Sequence, residues 1–378
     1  TGDVEILNRQ APYFKDAQAL RGTAIDEAYR PEQGTWQRTA DGSIYTGTVL
    51  EHLLVEQLAA FYEVGAHNLY RLRGADWNDA LDMAAEHGES VAFTCAYAGN
   101  LRELAGLIRT FARRTGAKTA EVFEELLPLL NTETDLYDDA STKRALLSQY
   151  AHSVQHELCG RKAAVPLEEL AENLERRADW LASWLRRHEW IDAQNGEGWY
   201  NSYYDNHGRA VEGFFPTGVR MMLTGQVFAI MGQVATDAQI PRITASADHY
   251  LYREEIGGYR LNTDFRELKF DLGRMFGFAY GEKENGAVFS HMAVMYANAL
   301  YRRGFAREGW KALSALADTA LDFDRSCIYP GIPEYFRADG RGMYHYLTGA
   351  ASWYMLTMIT QVFGVRGEEG DLVLAPKL

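Results

Sequence analysis

Three carboxylates, a tryptophan and an asparagine lie close together in the sequence Asp76-Trp77-Asn78-Asp79-Ala-Leu-Asp82. Transfer of a glycosyl group needs a carboxylic acid that protonates the leaving oxygen, and the pKa of this acid must be raised for it to hold a proton near neutrality. Neighbouring like charges and an apolar aromatic wall both raise the pKa of a carboxyl group. Asp76, Trp77 and Asp82 supply both around Asp79, so the segment suits an acid in sugar chemistry.

The same segment also has a purely structural interpretation. Asp and Asn commonly cap helices and form turns, and Asp76 or Asn78 could cap a helix that begins at Ala80. Spacing alone leaves both interpretations open.

A second group of residues could hold an anion. His291 follows Glu284-Asn-Gly, and Thr348-Gly349 opens the apolar run 350–362. An anion needs donors fixed around it, and an imidazole, a hydroxyl and a backbone N–H at a helix N-terminus meet that need. As alternatives, His291 could be a core histidine, and Thr348-Gly349 could mark a helix kink or a close contact.

Composition narrows the class of partner. The formal charge of −14 argues against nucleic acid, whose binding depends on many Lys and Arg side chains. Aromatic residues make up 12% of the chain, which fits a sugar-binding cleft. The three cysteines show no CxxC pair or metal-ligand spacing, so we predict buried thiols and no metal site. The lack of a long apolar run or a secretory leader predicts a soluble cytoplasmic protein without membrane contact.

Helical periodicity dominates the elements that must position these residues. The predicted helices are 46–64, 91–115, 119–130, 141–158, 167–191, 217–235, 241–256, 287–303, 307–321 and 345–363. Long Gly/Tyr/Asp-rich loops at 192–216 and 257–286 separate some of them. About ten helices in antiparallel pairs predict an all-α fold, an (α/α)6 barrel that is complete or lacks its N-terminal side. We predict one domain, 1–378.

Three segments of the chain resemble one family. The segment from Arg73 to Asp82, together with Gly88-Glu-Ser-Val91, resembles the signature of glycoside hydrolase family 94, whose members are inverting phosphorylases of cellobiose, cellodextrins, chitobiose and β-1,2-oligoglucans. The resemblance extends through Lys283-Glu-Asn-Gly-Ala-Val-Phe-Ser-His291 and Tyr346-Leu-Thr-Gly-Ala-Ala-Ser-Trp353.

The resemblance implies roles for individual residues. Asp79 falls on the general acid of the family. Trp77 would line the subsite of the transferred sugar, Asp76 is a further substrate-binding candidate, and Glu284 would contact the sugar on the leaving-group side. The phosphate ligands of the family fall on three residues, His291, Thr348 and Gly349.

The implied reaction is inverting phosphorolysis of a β-glucoside, with α-D-glucose 1-phosphate as a product. Inorganic phosphate is a substrate, and no cofactor is required. The partner would be a β-linked gluco-disaccharide or oligoglucan, with a β-1,2 linkage favoured by residues 333–336 and 370–378, and a homodimer is expected.

The resemblance also has a gap. The sugar-binding Arg and Asp of the family lie upstream of the Asp-Trp-Asn-Asp signature, and no matching segment occurs here. We therefore expect this chain to be the C-terminal portion of a longer enzyme, and to be inactive or nearly so unless the upstream part is supplied.

Two other functions remain open. One is an inverting hydrolase, in which water is the nucleophile and Asp205 or Glu284 is the base. The other is a sugar-binding module without catalysis, in which the acids only orient the glycan.

Overall fold

The computed structural model describes residues 2–15, 32, 34–329, 331–345 and 349–377. Its α-helices are α1 (Val49–Tyr62), α2 (Val91–Thr115), α3 (Ala140–Val154), α4 (Leu167–His188), α5 (Leu223–Met231), α6 (Ile240–Tyr250), α7 (Ser290–Arg302), α8 (Ala306–Leu321), α9 (Phe323–Ser326) and α10 (Gly349–Thr357). A π-helical turn, Met358–Val362, continues α10. Short 3-10 helices lie at Val4–Asn8, Glu124–Leu130, Thr134–Tyr137, Glu254–Ile256 and Arg274–Gly277.

Short β-strands connect the helices. They are β1 (Gln10–Pro12), β2 (Arg38–Thr39), β3 (Thr46–Thr48), β4 (Tyr70–Arg71), β5 (Glu89–Ser90), β6 (Thr119–Phe123), β7 (Glu157–Leu158), β8 (Lys162–Pro166), β9 (Trp190–Ala193), β10 (Glu197–Tyr200), β11 (Tyr203–Tyr204), β12 (Gly213–Phe215), β13 (Gly218–Arg220), β14 (Tyr252–Arg253), β15 (Gly258–Tyr259), β16 (Val288–Phe289), β17 (Tyr335–Phe336), β18 (Gly342–Met343), β19 (Val365–Glu368) and β20 (Asp371–Leu374). They pair in two- and three-stranded sheets.

The prediction of an all-α fold, and with it the (α/α)6 barrel, is wrong because the chain is mixed α/β. The loop 192–216 contains β11 and parts of two hairpins, β9–β10 and β12–β13. Backbone N–H and C=O groups need hydrogen-bond partners. Neighbouring loop segments meet this need by pairing with each other as short β-ladders. Strands of two to five residues are too short to show the alternation from which a strand is predicted.

Several helices are confirmed and one is wrong. The predicted helix 91–115 matches α2, and 307–321 matches α8 within one residue. The predicted helix 119–130 is instead β6 followed by a 3-10 helix that contains Pro128. The apolar spacing of residues 119–130 did not indicate that residues 119–123 pair with β8 as a strand.

The chain folds into two compact units. The first comprises Thr1–Gly2, Arg71–Gly99 and Leu181–Leu378, and the second comprises Asp3–Tyr70 and Asn100–Trp180. The predicted site residues that the structure describes all lie in the first unit. The single domain 1–378 stays a prediction.

In the first unit α7 is the central helix. It packs against α5, α8 and α10, and its residues from Met292 to Tyr301 are all buried. A helix that is apolar on every side is a core helix. Strand β16 leads directly into α7 and pairs with β17, which pairs with β18. This sheet and the first turn of α7 therefore fix the position of His291.

In the second unit α1 packs against α3, and β6 pairs with β8. A cavity of about 570 Å³ lies in this unit, and aromatic side chains such as Tyr13 and Tyr150 line it. The described residues that line it include none of the predicted site residues.

Candidate active site

The loop that carries Asp76, Trp77 and Asp79 is held in shape by its own side chains. Asp76 Oδ1 accepts a hydrogen bond from the Asn78 amide at 3.0 Å, and Asn78 Oδ1 accepts one from the Ala80 amide at 3.1 Å. Such bonds from Asp and Asn are typical of tight turns. Residues 80–88 form turns, one bend and irregular backbone, without a helix. The Asn78 side chain thus makes a turn, and the predicted alternative of a capped helix at Ala80 is wrong.

Asp76 is bonded to the protein through both carboxylate oxygens. Oδ2 accepts from Ser90 Oγ at 2.7 Å, and Oδ1 accepts from the Tyr203 hydroxyl at 3.3 Å. Ser90 Oγ in turn accepts from the Phe93 amide at 2.9 Å in the first turn of α2. Burial raises the pKa of Asp76 to about 6, although hydrogen bonds from Asn78, Ser90 and Tyr203 lower it. This carboxyl group is well placed to fix the loop.

Asp79 lies beside a cation. Its side chain is 82% exposed, and its Oδ2 lies 3.2 Å from Arg274 Nη2. Arg274 Nη1 also donates to the Asp79 carbonyl at 2.8 Å and pairs with the Asp82 carboxylate. The Arg274 amide donates to Asp82 Oδ1 at 3.2 Å. The predicted crowding of like charges around Asp79 is therefore offset by one guanidinium group.

Trp77 and His291 are neighbours, as a shared site requires. Their ring centroids are 5.5 Å apart, and the Trp77 ring also meets Phe289 edge-on at 5.5 Å. On its other side His291 meets the ring of Trp353 at 5.8 Å. His291 Nε2 is buried and has no hydrogen-bond partner among the described residues. Burial lowers the pKa of His291, which favours the neutral imidazole.

Gly349 lies directly against the imidazole of His291. A Cβ atom built on Gly349 would lie 3.1 Å from His291 Cε1 and Nδ1. Gly349 is also the first residue of α10, where backbone N–H groups lack partners within the helix. Thr348, the third predicted phosphate ligand, lies outside the described residues. The structure thus brings two of the three predicted ligands together.

Glu284 is partly buried near the other acids. Its Oε2 is buried and has no hydrogen-bond partner among the described residues. Burial raises the pKa of Glu284, the charges of Asp79 and Glu334 raise it further, and the charge of Lys283 lowers it. The charge of Asp79 thus adds to the effect of burial on the pKa of Glu284.

Asp205, considered as a base for water, is fully engaged in ion pairs. Its Oδ2 lies 2.6 Å from Lys269 Nζ and 3.0 Å from Arg209 Nε, and its Oδ1 accepts from two backbone amides, those of His207 and Arg209. Burial raises the pKa of Asp205, but the bond from Lys269 and the backbone bonds outweigh burial and lower it. Lys269 also pairs with Asp271 at 3.0 Å. This network has a structural role.

Sequence reasoning missed three residues of this site. Arg274 lies in the long loop 257–286, and nothing in its neighbourhood marks it as the partner of Asp79. Ser90 lies inside the recognised Gly88-Glu-Ser-Val91 segment, but its bond to Asp76 could not be inferred from spacing. Tyr203 lies in the long loop 192–216, where Asp205 was considered as a base but Tyr203 was given no role.

Other groups add little to the site. Among the described residues, no set of three or more His, Cys, Asp or Glu side chains is arranged to hold a metal ion. Within the same ranges no helix has both the length and the apolarity needed to cross a membrane. Cys95 is buried as predicted, but Cys159 is partly exposed and Cys327 exposed, so the prediction of three buried thiols is wrong for these two.

Acids grouped with tryptophan rings beside an imidazole and a helix N-terminus fit the requirements of a carbohydrate-active enzyme. Residues 27–364 match the family described as "Glycosyl hydrolase 94 superfamily, catalytic domain", and the chain belongs to this family.

Three relatives illustrate the range of the family. Cellobionic acid phosphorylase of Neurospora crassa is 26% identical over 42% of this chain and 22% of its own length. Cyclic beta-(1,2)-glucan synthase NdvB of Rhizobium meliloti is 24% identical over 100% of this chain and 11% of its own length. The 3-O-beta-D-glucopyranosyl-beta-D-glucuronide phosphorylase of Paenibacillus borealis is 24% identical over 89% of this chain and 37% of its own length. The chain thus spans well under half the length of these relatives.

Proposed function

We propose that these residues supply the proton donor and part of the phosphate site of an inverting phosphorylase. Its substrate would be a β-glucoside, and its product α-D-glucose 1-phosphate. The observation that carries the proposal is the contact of Gly349 with His291, whose buried Nε2 has no partner among the described residues. A buried polar atom without a partner is costly unless a ligand satisfies it.

In the proposed reaction Asp79 gives its proton to the glycosidic oxygen as the bond from that oxygen to the anomeric carbon breaks. A phosphate oxygen attacks the anomeric carbon from the opposite face, which inverts its configuration. His291, Thr348 and the amide of Gly349 would hold the other phosphate oxygens. Phosphate arrives as a nucleophile, so a second carboxylate to activate water is unnecessary.

Trp77 is proposed to line the sugar subsite. Its ring meets the His291 ring at 5.5 Å, which places an aromatic face beside the imidazole proposed to bind phosphate. Asp76, another of the three predicted substrate ligands, is already bonded to Ser90 and Tyr203. We therefore propose that Asp76 orients the loop of Asp79 and Trp77.

Hydrolysis is the second candidate, and Glu284 favours it. A partly buried carboxyl with a raised pKa and a buried, unpartnered oxygen has the properties of a catalytic base. The other candidate base, Asp205, is committed to Lys269 and Arg209.

Phosphate dependence separates the two reactions. The chain, supplied with the upstream part of the enzyme, is incubated with a panel of β-linked gluco-disaccharides, including the β-1,2 isomer, with and without inorganic phosphate. Phosphorolysis yields a sugar phosphate only when phosphate is present, and the α configuration at its anomeric carbon is read by NMR. Release of free glucose at the same rate without phosphate would establish the hydrolase instead.

A further inference from the structure

The loop that carries the proposed acid rests on a second chain segment, residues 272–275. The Met83 amide donates to the Leu272 carbonyl at 3.2 Å, and the Met275 amide donates to the Ala80 carbonyl at 3.1 Å. Leu272 and Met275 are fully buried. Because buried side chains are closely packed, the base of the acid-bearing loop is held by the core.

Gly273 allows these two segments to approach closely. A Cβ atom built on Gly273 would lie 2.1 Å from the Ala80 carbonyl oxygen and 2.5 Å from the Leu81 Cα. Both separations are far below the roughly 3.5 Å of van der Waals contact, so a side chain at this position would force the segments apart. The close approach brings the next residue, Arg274, to the edge of the loop.

Most of the contacts that fix Arg274 do not involve the Asp79 carboxylate. The Arg274 amide donates to Asp82 Oδ1 at 3.2 Å, and Arg274 Nη1 pairs with Asp82 Oδ2. The same Nη1 donates to the Asp79 carbonyl at 2.8 Å. Nη2 then reaches Asp79 Oδ2 at 3.2 Å. The guanidinium group can therefore keep its position while the Asp79 side chain turns.

The two carboxylate oxygens of Asp79 differ in their contacts. Oδ2 is bonded to Arg274, whereas Oδ1 accepts no hydrogen bond from any residue that the structure describes. The Asp79 side chain is 82% exposed. Exposed ion pairs add little to stability. The pair is better explained by the direction that it gives to Oδ1.

We propose that Arg274 is a positioning residue for the general acid Asp79, holding Oδ2 and turning Oδ1 toward the leaving oxygen. This inference rests on the proposed function, which assigns the proton donor to Asp79. As the proton passes from Oδ1 to the glycosidic oxygen, the bond from that oxygen to the anomeric carbon breaks, and its electron pair stays on the oxygen. The negative charge left on the Asp79 carboxylate lies beside the guanidinium group, which stabilises it.

The kinetic test compares Arg274→Ala and Arg274→Lys with the wild-type chain, with the upstream part of the enzyme supplied. Arg274→Ala should lower kcat for phosphorolysis by roughly 10- to 100-fold, because a misplaced catalytic group reacts slowly. The KM values for sugar and phosphate should stay within about twofold, because Arg274 acts through Asp79. Arg274→Lys should recover part of the rate, since one ammonium group cannot span Asp79 and Asp82 together.

The matched control is Arg366→Ala. It removes a partly exposed cation that pairs with Glu368 in the β19–β20 hairpin, and it should keep the wild-type kcat. The proposal is overturned if Arg274→Ala also keeps the wild-type kcat, or if its defect lies entirely in KM.

Chemical rescue separates positioning from a purely structural role. Arg274 is 45% exposed, so a free guanidinium ion can reach the position that its side chain leaves. Millimolar guanidine hydrochloride should raise the kcat of Arg274→Ala severalfold, whereas equal concentrations of urea or NaCl should not. Failure of guanidinium to raise kcat, or equal rescue by urea, would assign Arg274 a structural role and overturn the proposal.

A measurement without turnover tests the contact itself. A carbodiimide and an amine convert exposed carboxyl groups to amides, and mass spectrometry gives the rate for each residue. Asp79 should be labelled severalfold more slowly in the wild-type chain than in Arg274→Ala, because the guanidinium group covers Oδ2. Asp237, whose side chain is 81% exposed, should be labelled equally in both. Equal labelling of Asp79 in both proteins would overturn the inference.

The two measurements distinguish this inference from the proposed function. Phosphorolysis at equal rates in the wild-type chain and Arg274→Ala would overturn the inference and leave the proposed function in place. Absence of a sugar phosphate from the wild-type enzyme would overturn the proposed function, and the labelling rates would still decide whether Arg274 holds Asp79.

Discussion

Two groups of polar residues in the first unit use their hydrogen-bonding capacity in opposite ways. Around Asp205 the carboxylate oxygens are taken up by Lys269, Arg209 and backbone amides. At the proposed reaction site, Glu284 and His291 each keep a buried polar atom without a partner among the described residues. Satisfied groups fix the loops, and unsatisfied groups are available to a ligand. Substitutions in the Asp205 group should therefore change the free energy of unfolding, and substitutions at the proposed reaction site should change the kinetics.

The largest effect is expected from Asp79→Asn. An amide cannot supply the proton, and loss of a general acid reduces the rate by roughly 10²- to 10⁴-fold. The side chain is 82% exposed, so the free energy of unfolding should change little. The measurements are kcat/KM for phosphorolysis, with the upstream part of the enzyme supplied, and urea denaturation of the same preparations. Retention of at least a tenth of the wild-type rate would remove Asp79 from the mechanism.

Asp205→Asn should show the opposite behaviour. Among the described residues it leaves the buried Lys269 ammonium with Asp271 as its remaining acidic partner, and loss of one member of a buried ion pair costs about 3 kcal/mol of unfolding free energy. The matched control is Asp237→Asn, which removes an exposed carboxylate paired with the partly buried Arg303 and should cost less than about 1 kcal/mol. An equal loss of unfolding free energy in the two variants would show that burial of the Asp205 pair does not add to stability.

Asp76 should make the free energy of unfolding depend on pH. Its folded pKa of about 6 exceeds the usual 3.8, so the folded state binds its proton more tightly than the unfolded state does. The contribution of Asp76 to the free energy of unfolding is therefore fully present at low pH. It decreases by up to about 3 kcal/mol as pH rises from about 4 to 6. Asp76→Asn should remove this slope from the pH dependence of unfolding. A wild-type slope that survives in the variant would assign it to other groups.

The smallest effect is expected from Gly349→Ala. The added Cβ would lie 3.1 Å from the His291 ring and should displace the imidazole by a few tenths of an ångström. Misplacement of a binding group on this scale should raise the KM for phosphate by about tenfold. The KM for the sugar serves as the internal reference. Equal changes in both KM values would point to general distortion of α10.

Sequence reasoning found the core helices because their periodicity is long, as in α2 over 91–115. It missed strands such as β11 and β16, because two residues carry no periodic pattern. It grouped His291 with Gly349 as candidate anion ligands from their chemistry, and the family resemblance then assigned both to phosphate. It could not place Arg274, because its contact with Asp79 spans 195 residues of sequence.

That same separation affects how the protein is made. Asp79 leaves the ribosome well before Arg274, and at about 5–20 residues per second the gap of 195 residues corresponds to roughly 10–40 s of synthesis. The hydroxyl of Tyr203, which bonds Asp76, arrives 127 residues after its partner. During translation the loop of Asp76 and Asp79 therefore lacks these two partners. It can reach its final conformation only after Tyr203 and Arg274 have been synthesised.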